Sequence, residues 1–230
     1  MRILALDTAT LTASVAILDG DAIAAAGDAH ADTHSEKLLP LVDAVLNQAG
    51  LRPALLDAIA CGAGPGSFTG LRIGLATAKG LCFALGKPLV LVSSLAALAY
   101  EVRGRDVLAL IDARKREVYA GVFSGDGVAL GGERVLPPDA LADHVRSAAG
   151  NRRLVVIGDG AAAYRDAAAR CGDVDLSVRL TPDARAVARL AQAKLASGAS
   201  DEVLTAAPTY IRASEAEIAT VPVAMRKPRP

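Results

Sequence analysis

Tryptophan is absent from this 230-residue sequence, and aromatic residues make up only 3% of it. With 52% apolar residues a sizeable core is still affordable, but Ala, Leu, Val and Ile must fill it. Neither sign of charge dominates, since 25 basic and 25 acidic side chains cancel. That excludes a broad basic field able to hold nucleic acid unaided, while leaving room for a local basic patch. Cysteine is scarce too. Cys61, Cys82 and Cys171 are too few and too scattered for a disulfide framework or a zinc site, which suits a reducing cytoplasm. No apolar, charge-free run reaches the ~20 residues needed to span a bilayer, so no membrane association is expected. The apolar start, Ile3 to Leu6, is interrupted by Asp7 and does not read as a signal peptide.

What the sequence does have is glycine at one place. Cys61 to Gly74 reads CGAGPGSFTGLRIG, between an apolar run at Leu55 to Ala60 and a helical stretch at Leu75 to Leu85. A glycine-rich turn between strand and helix permits positive φ and close approach of another group, and the helix N-terminus behind it can hold an anion. The sequence is no Walker A loop: no Gly-Lys-Ser/Thr closes it, and Lys79 lies too far along the helix.

Around that turn the pattern is orderly. Ile3 to Leu6, Thr12 to Leu18 and Ala22 to Asp28 read as strands, with Asp19-Gly20-Asp21 as a hairpin turn. A helix follows, capped by Asp32 or Ser35 and ended by Gly50, with Pro40 near its first turn. Leu38, Val42, Val45, Leu46 and Ala49 form its apolar stripe. Leu89 to Val92 is a strand, and Ser93 or Ser94 caps the next helix, Leu95 to Val102. After Gly104 the order strand-strand-strand-helix-strand-helix begins again. Its elements are Asp106 to Ile111, Glu117 to Phe123, Val128 to Val135, a helix from Pro137 to about Ala148, Leu154 to Ile157, and a helix from Ala161 to Arg170. Asp183 to Ala196 is the last clear helix. We therefore expect an α/β protein built as a duplicated lobe: residues 1–103, residues 104–220, and a disordered tail over 221–230 with three prolines and three basic residues.

Two facing lobes of this order resemble the actin, sugar-kinase and Hsp70 fold, with mixed central sheets and flanking helices. In that fold the first hairpin of each lobe grips phosphate, using an Asp followed by glycine and small hydroxyl residues. Here Asp7 is present but is followed by Thr8-Ala9-Thr10-Leu11-Thr12, without the glycine. The second hairpin, Asp112-Ala113-Arg114-Lys115-Arg116-Glu117, carries long side chains where small ones are expected.

Several stretches resemble the TsaB family, also called YeaZ. They are Leu4 to Thr10, His34 to Pro40, the signature Gly64-Pro65-Gly66-Ser67-Phe68-Thr69-Gly70 running on to Gly74, Asp112-Ala113-Arg114 with Glu117-Val118-Tyr119, and Pro208 to Arg212. The resemblance implies a cytoplasmic, non-catalytic partner of the transferase TsaD. Together they make N6-threonylcarbamoyladenosine at position 37 of tRNAs that read codons starting with adenine. It further implies a TsaD–TsaB heterodimer joined by TsaE, tRNA contact only through the complex, and no cofactor of its own beyond a nucleotide held at the complex with TsaD; separately, an apolar helix pair awaiting TsaD could form a homodimer when alone. The catalytic paralogue carries two metal-binding histidines four residues apart after the strand matching Leu89 to Val92. Here those positions are Ser94 and Leu98, neither of which holds a metal as imidazole does, so no metal is expected. His30 and His34 are also four apart, but they straddle the helix start and read as a loop and a first-turn residue. His144 reads as a helix-surface residue.

In the resembled family the first two helices pair with their TsaD counterparts, here residues 35–49 and 68–85. Gly66, Gly70, Gly74 and Ala78 recur every four residues, a small stripe suited to close helix contact. The expected partner interface is Leu38, Val42, Val45, Leu46, Ala49, Gly70, Gly74 and Ala78, with packing on the chain's own neighbouring helix as the alternative. The competing function is a small ATPase or sugar kinase of the same fold, with Asp7 as its candidate nucleotide contact. A peptidase reading has no His-Glu-x-x-His to rest on.

Overall fold

The computed structural model describes residues 1–30 and 34–212. The helix cap expected at Asp32 and the tail expected over 221–230 lie outside those residues. The first half runs β1 (Arg2–Asp7), β2 (Thr12–Asp19), β3 (Ala22–His30), α1 (His34–Gln48), β4 (Ala58–Gly62), α2 (Phe68–Leu85), β5 (Leu89–Val92) and α3 (Ser94–Ala99). β1, β2 and β3 are antiparallel, and β4 and β5 add in parallel, giving the order β3-β2-β1-β4-β5. The second half runs β6 (Val107–Arg114), β7 (Glu117–Phe123), β8 (Arg134–Leu136), α4 (Leu141–Ala149), β9 (Val155–Ile157), α5 (Asp159–Ala163), α6 (Arg165–Ala169), β10 (Asp173–Val174) and α7 (Ala184–Ala196). Its sheet order, β10-β9-β6-β7-β8, is the same arrangement repeated.

Strand alternation divides the first sheet between two cores. Leu4, Leu6, Val15 and Ile17 face the side covered by α1 and α2. Ile3, Ala5, Ala16 and Leu18 face the other side, against Ala184, Val187, Ala188 and Ala191 of α7. The helix that follows the second sheet thus covers the first. α3 makes the reverse exchange: Leu95, Leu98 and Ala99 pack with Val107, Ala109 and Ile111 of β6. Packing thus crosses the expected boundary between 1–103 and 104–220, because each half lends its last helix to the other half's sheet. The chemical reason is residue size. α7 is alanine-rich on its buried face, so it fits closely against a sheet face that is itself lined by alanines.

Three local expectations also change. Pro40 lies inside α1, beyond its first turn, on an exposed side. β8 is shorter than the expected Val128 to Val135. Gly131 and Gly132 offer the ladder no side chain there, and Ala129 keeps a single bridge to Phe123. The helix expected over Ala161 to Arg170 is two short helices, broken at Tyr164 (φ −126°, ψ 51°). By length and composition α2 is apolar enough to cross a bilayer, but Leu71, Leu75, Ala78 and Cys82 are buried on the protein's own sheet side.

Candidate functional site between the lobes

The signature loop is a junction held on every side. Ser67 caps α2, its hydroxyl accepting from the Gly70 N–H at 3.2 Å, and its own N–H donates to the Ala9 carbonyl at 2.7 Å. The Ser94 N–H donates to the Gly64 carbonyl at 2.8 Å, and the Thr209 N–H to the Ala63 carbonyl at 2.7 Å. Gly64 takes φ 101°, a conformation that other residues rarely adopt. A methyl on Gly66 would stand 2.6 Å from the Ala9 Cβ and 2.7 Å from its Cα, so the loop fits against the first hairpin only as glycine.

The same closeness explains the rest of the stripe. A methyl on Gly74 would overlap the Thr8 hydroxyl, which donates to the Gly70 carbonyl at 2.8 Å. Ala78, Leu38, Val42, Val45 and Leu46 are each at most 5% exposed and share one core, with the half-buried Ala49 against it. These residues, expected at a partner interface, face the chain's own sheet. Gly70, Gly74 and Ala78 do so because β1 and the Thr8 turn approach that face of α2. The outward side of the same two helices holds Leu39 (57% exposed), Ala76, Gly80 and Phe83 (65% exposed).

Asp7, the candidate nucleotide contact, is wholly buried and does not line the cleft. Its Oδ1 accepts the Ala9 N–H at 2.8 Å and its Oδ2 accepts the Ser94 hydroxyl at 2.7 Å. A methyl on Gly62 would come within 2.6 Å of its carboxyl carbon. Burial, together with the Asp7 charge and the thiol of Cys82, pushes the Cys61 thiol well above its usual range, leaving it a core thiol. Leu98 is also fully buried, in the core shared by α3 and β6. The two positions where the catalytic paralogue is expected to carry histidines thus hold a hydroxyl spent on Asp7 and a leucine joining the lobes. Among the described residues no cluster of three metal-ligating side chains occurs.

A cavity of about 540 Å³ opens between the lobes. The first lobe lines it with the hairpin residues Ala9 to Leu11 and the start of α2. The second lobe supplies Asp112, Arg114, Tyr119 and Asp159. Residues 209–212 cross over it. Tyr210 stacks on Phe68 (centroids 4.9 Å apart) and its hydroxyl accepts from Arg72 Nε at 3.1 Å. The Arg72 guanidinium lies 4.1 Å from the Phe68 ring centre. Arg212 reaches the second lobe, donating to the Ala113 carbonyl at 2.8 Å and to Glu117 at 3.1 Å.

On the second lobe Asp112 accepts the Arg114 N–H at 2.8 Å and pairs with its guanidinium at 3.1 Å. Asp159 accepts the Asp112 N–H at 2.9 Å. Burial and then the Asp112 charge raise the Asp159 carboxyl to about 6, against backbone hydrogen bonds that lower it. Arg114, Lys115 and Arg116 all take positive φ (61°, 53° and 60°). Lys115 and Arg116 are the two central residues of a tight hairpin that ordinarily prefers Asn-Gly. Reading the sequence singled out Asp112 and this turn but missed Tyr119, Asp159 and Tyr210 as cleft residues. Gly158-Asp159-Gly160, an acid between glycines at a strand end, was the available signal. For Tyr210 the signal was its place in the stretch Pro208 to Arg212, which spacing alone could not assign to the cleft because that depends on the chain returning across both lobes. His144, expected on the surface, is half-buried on α4, with a Nε2 that finds no partner among the described residues.

This doubled sheet order around a central cleft is that of the two-lobed actin and sugar-kinase class. The activator of the 2-hydroxyisocaproyl-CoA dehydratase from Clostridium difficile shares the fold at a TM-score of 0.53 and 13% identity, over 86% of this chain and 97% of its own. A family model for tRNA N6-adenosine threonylcarbamoyltransferase (TsaD) matches residues 28–220. The tRNA threonylcarbamoyladenosine biosynthesis protein TsaB of Escherichia coli (strain K12) is 35% identical over 92% of this chain and 95% of its own length. The TsaB protein of Bacillus subtilis (strain 168) is 32% identical over 94% and 96%. YeaZ from Pseudomonas aeruginosa superposes with a TM-score of 0.79 at 36% identity, covering 91% of this chain and 99% of that one. The chain belongs to the TsaB family of tRNA threonylcarbamoyladenosine biosynthesis proteins.

Proposed function

We propose that this chain is a non-catalytic subunit that binds and activates a TsaD transferase in the cytoplasm. The modification is N6-threonylcarbamoyladenosine at position 37 of tRNAs reading codons that start with adenine, with TsaE joining the pair. The observation that carries the reading is the fate of Ser94 and Leu98: a hydroxyl committed to Asp7 and a side chain committed to the inter-lobe core. Neither is able to hold a metal for transfer chemistry. The kinase alternative is disfavoured by the burial of Asp7, which leaves it no reach into the cleft. Partner contact falls to the outward side of α1 and α2, where Leu39 and Phe83 present apolar surface and Gly80 lets a helix approach. The same face pairs two copies when TsaD is absent.

The test is coexpression with TsaD, followed by threonylcarbamoyl transfer to tRNA. The expected result is a stoichiometric complex, activity only with both chains, and loss of the complex in Phe83→Glu while the free variant melts like wild type. Transfer by this chain alone, or wild-type association of Phe83→Glu, overturns the reading.

A further inference from the structure

The inter-lobe cavity carries chemistry that the scaffold reading leaves unused. Its volume, about 540 Å³, falls in the range of small-molecule sites. Tyr119 lines it while only 6% exposed, and its hydroxyl has no hydrogen-bond partner among the described residues. Among the described residues the buried side-chain atom left without a partner is His144 Nε2, not the Tyr119 hydroxyl, so that hydroxyl is open to the cavity while its ring is buried, a donor available to a ligand there.

The charges around that hydroxyl are arranged by lobe. On the first lobe, Arg72 is fixed by the Phe68 ring and the neutral Tyr210 hydroxyl, and no carboxylate pairs with it among the described residues. It sits one turn into α2, whose amino end carries the positive pole of an 18-residue helix at the cavity wall. On the second lobe the guanidinium of Arg114 is taken by Asp112, whereas Asp159 accepts only backbone N–H groups. Among the described residues, therefore, one unpaired cation faces the cavity from one lobe and one unpaired carboxylate from the other. A polyanion such as a nucleoside triphosphate would meet the uncompensated Asp159 at like charge, and an uncharged ligand would leave both ends unmatched.

We propose that the cavity binds a small zwitterion, its carboxylate at Arg72 and the start of α2, its ammonium at Asp159, with the Tyr119 hydroxyl bonding to it between them. The site belongs to the isolated chain, so it stands or falls independently of TsaD.

The experiment is isothermal titration of the full chain with glycine, 4-aminobutyrate and 6-aminohexanoate, and with acetate and ethylammonium as the separated halves. At least one zwitterion is expected to bind with a Kd tighter than about 1 mM, and each half about tenfold more weakly or worse. Tyr119→Phe, Arg72→Gln and Asp159→Asn are each expected to weaken the zwitterion about tenfold, with far-UV circular dichroism unchanged. Arg72 is solvent-exposed, so its variant folds even where the buried Tyr119→Phe does not. No binding by any zwitterion overturns the proposal. So does acetate binding as tightly as the zwitterions, or undiminished binding to Arg72→Gln and Asp159→Asn.

Discussion

Gly74 and Gly80, both inside α2, should respond in opposite directions to the same change. Six residues is about one and two-thirds helical turns, which puts them on different faces. Replacing an interior helical glycine by alanine is worth about 1 kcal/mol of helix propensity. At Gly80 a methyl would meet nothing within 4 Å, so the gain is realised in full. For a chain of this size the melting temperature of Gly80→Ala should rise by about 2–4 °C. At Gly74 the methyl would overlap the Thr8 hydroxyl and stand 3.4 Å from Leu6 Cδ1. Thr8 is wholly buried and its hydroxyl bonds the Gly70 carbonyl, so it moves only by breaking that bond. Overpacking costs about 1–3 kcal/mol and a stranded buried polar group a similar amount. Less the propensity gain, Gly74→Ala should lose about 1–5 kcal/mol. Urea unfolding followed by circular dichroism reads both, as shifts of midpoint at constant slope. If Gly74→Ala is as stable as wild type, the stripe does not face β1 as described. If Gly80→Ala is stabilised yet associates normally with TsaD, the outward face of α2 does not closely approach a partner.

Asp159→Asn tests the electrostatics of the cleft. The carboxyl titrates at about 6 in the folded chain against 3.8 otherwise, so between those values the folded state holds a proton that the unfolded state lacks. This group's contribution to stability therefore rises as pH falls from about 6 toward 4, and above pH 6 the ionised carboxylate costs up to about 3 kcal/mol. Asp159→Asn should stabilise the chain at pH 8 and change little at pH 4; equal effects at both values would refute the assignment. Leu98→Ala should cost about 2–5 kcal/mol, since it empties a fully buried position shared by the lobes. A loss below about 1 kcal/mol, measured by the same unfolding assay, would mean that α3 does not tie the two sheets together.

Much of this architecture was legible because it rests on local pattern. The three opening strands, the hairpin at Gly20 and the stripe of α1 follow from alternation, turn residues and helical spacing, and the repeat of that order exposed the duplication. The exchange of α3 and α7 between sheets was not legible. Both helices are alanine-rich, α3 is only six residues long, and nothing in their own spacing says which sheet they cover. The direction of the Gly70, Gly74 and Ala78 stripe was hidden for a similar reason. Small residues signal a close approach without naming what approaches, and here it is the turn at Thr8. The cavity was partly legible through Asp112, but Tyr119, Asp159 and Tyr210 meet there only because distant parts of the chain converge.

Comparison of the two halves shows how one turn came to serve two purposes. Asp7 ends β1 and Asp112 ends β6, the matching strands of the duplicated sheets. Each carboxylate accepts the backbone N–H two residues further on, at 2.8 Å in both cases, so both halves keep the same turn. They part at the second oxygen. In the first half Ser94, at the start of α3, donates its hydroxyl to Asp7, and the carboxylate is sealed beneath the signature loop. In the second half the first residue after the α7 cap, as Ser94 is the first after the Ser93 cap of α3, is Ala184; it has no hydroxyl and packs on the first sheet, and Asp112 pairs with Arg114 at the cleft. The cleft is asymmetric as a result. Its carboxylates come from one half, while the other half, having buried its own, contributes Arg72 and the amino end of α2.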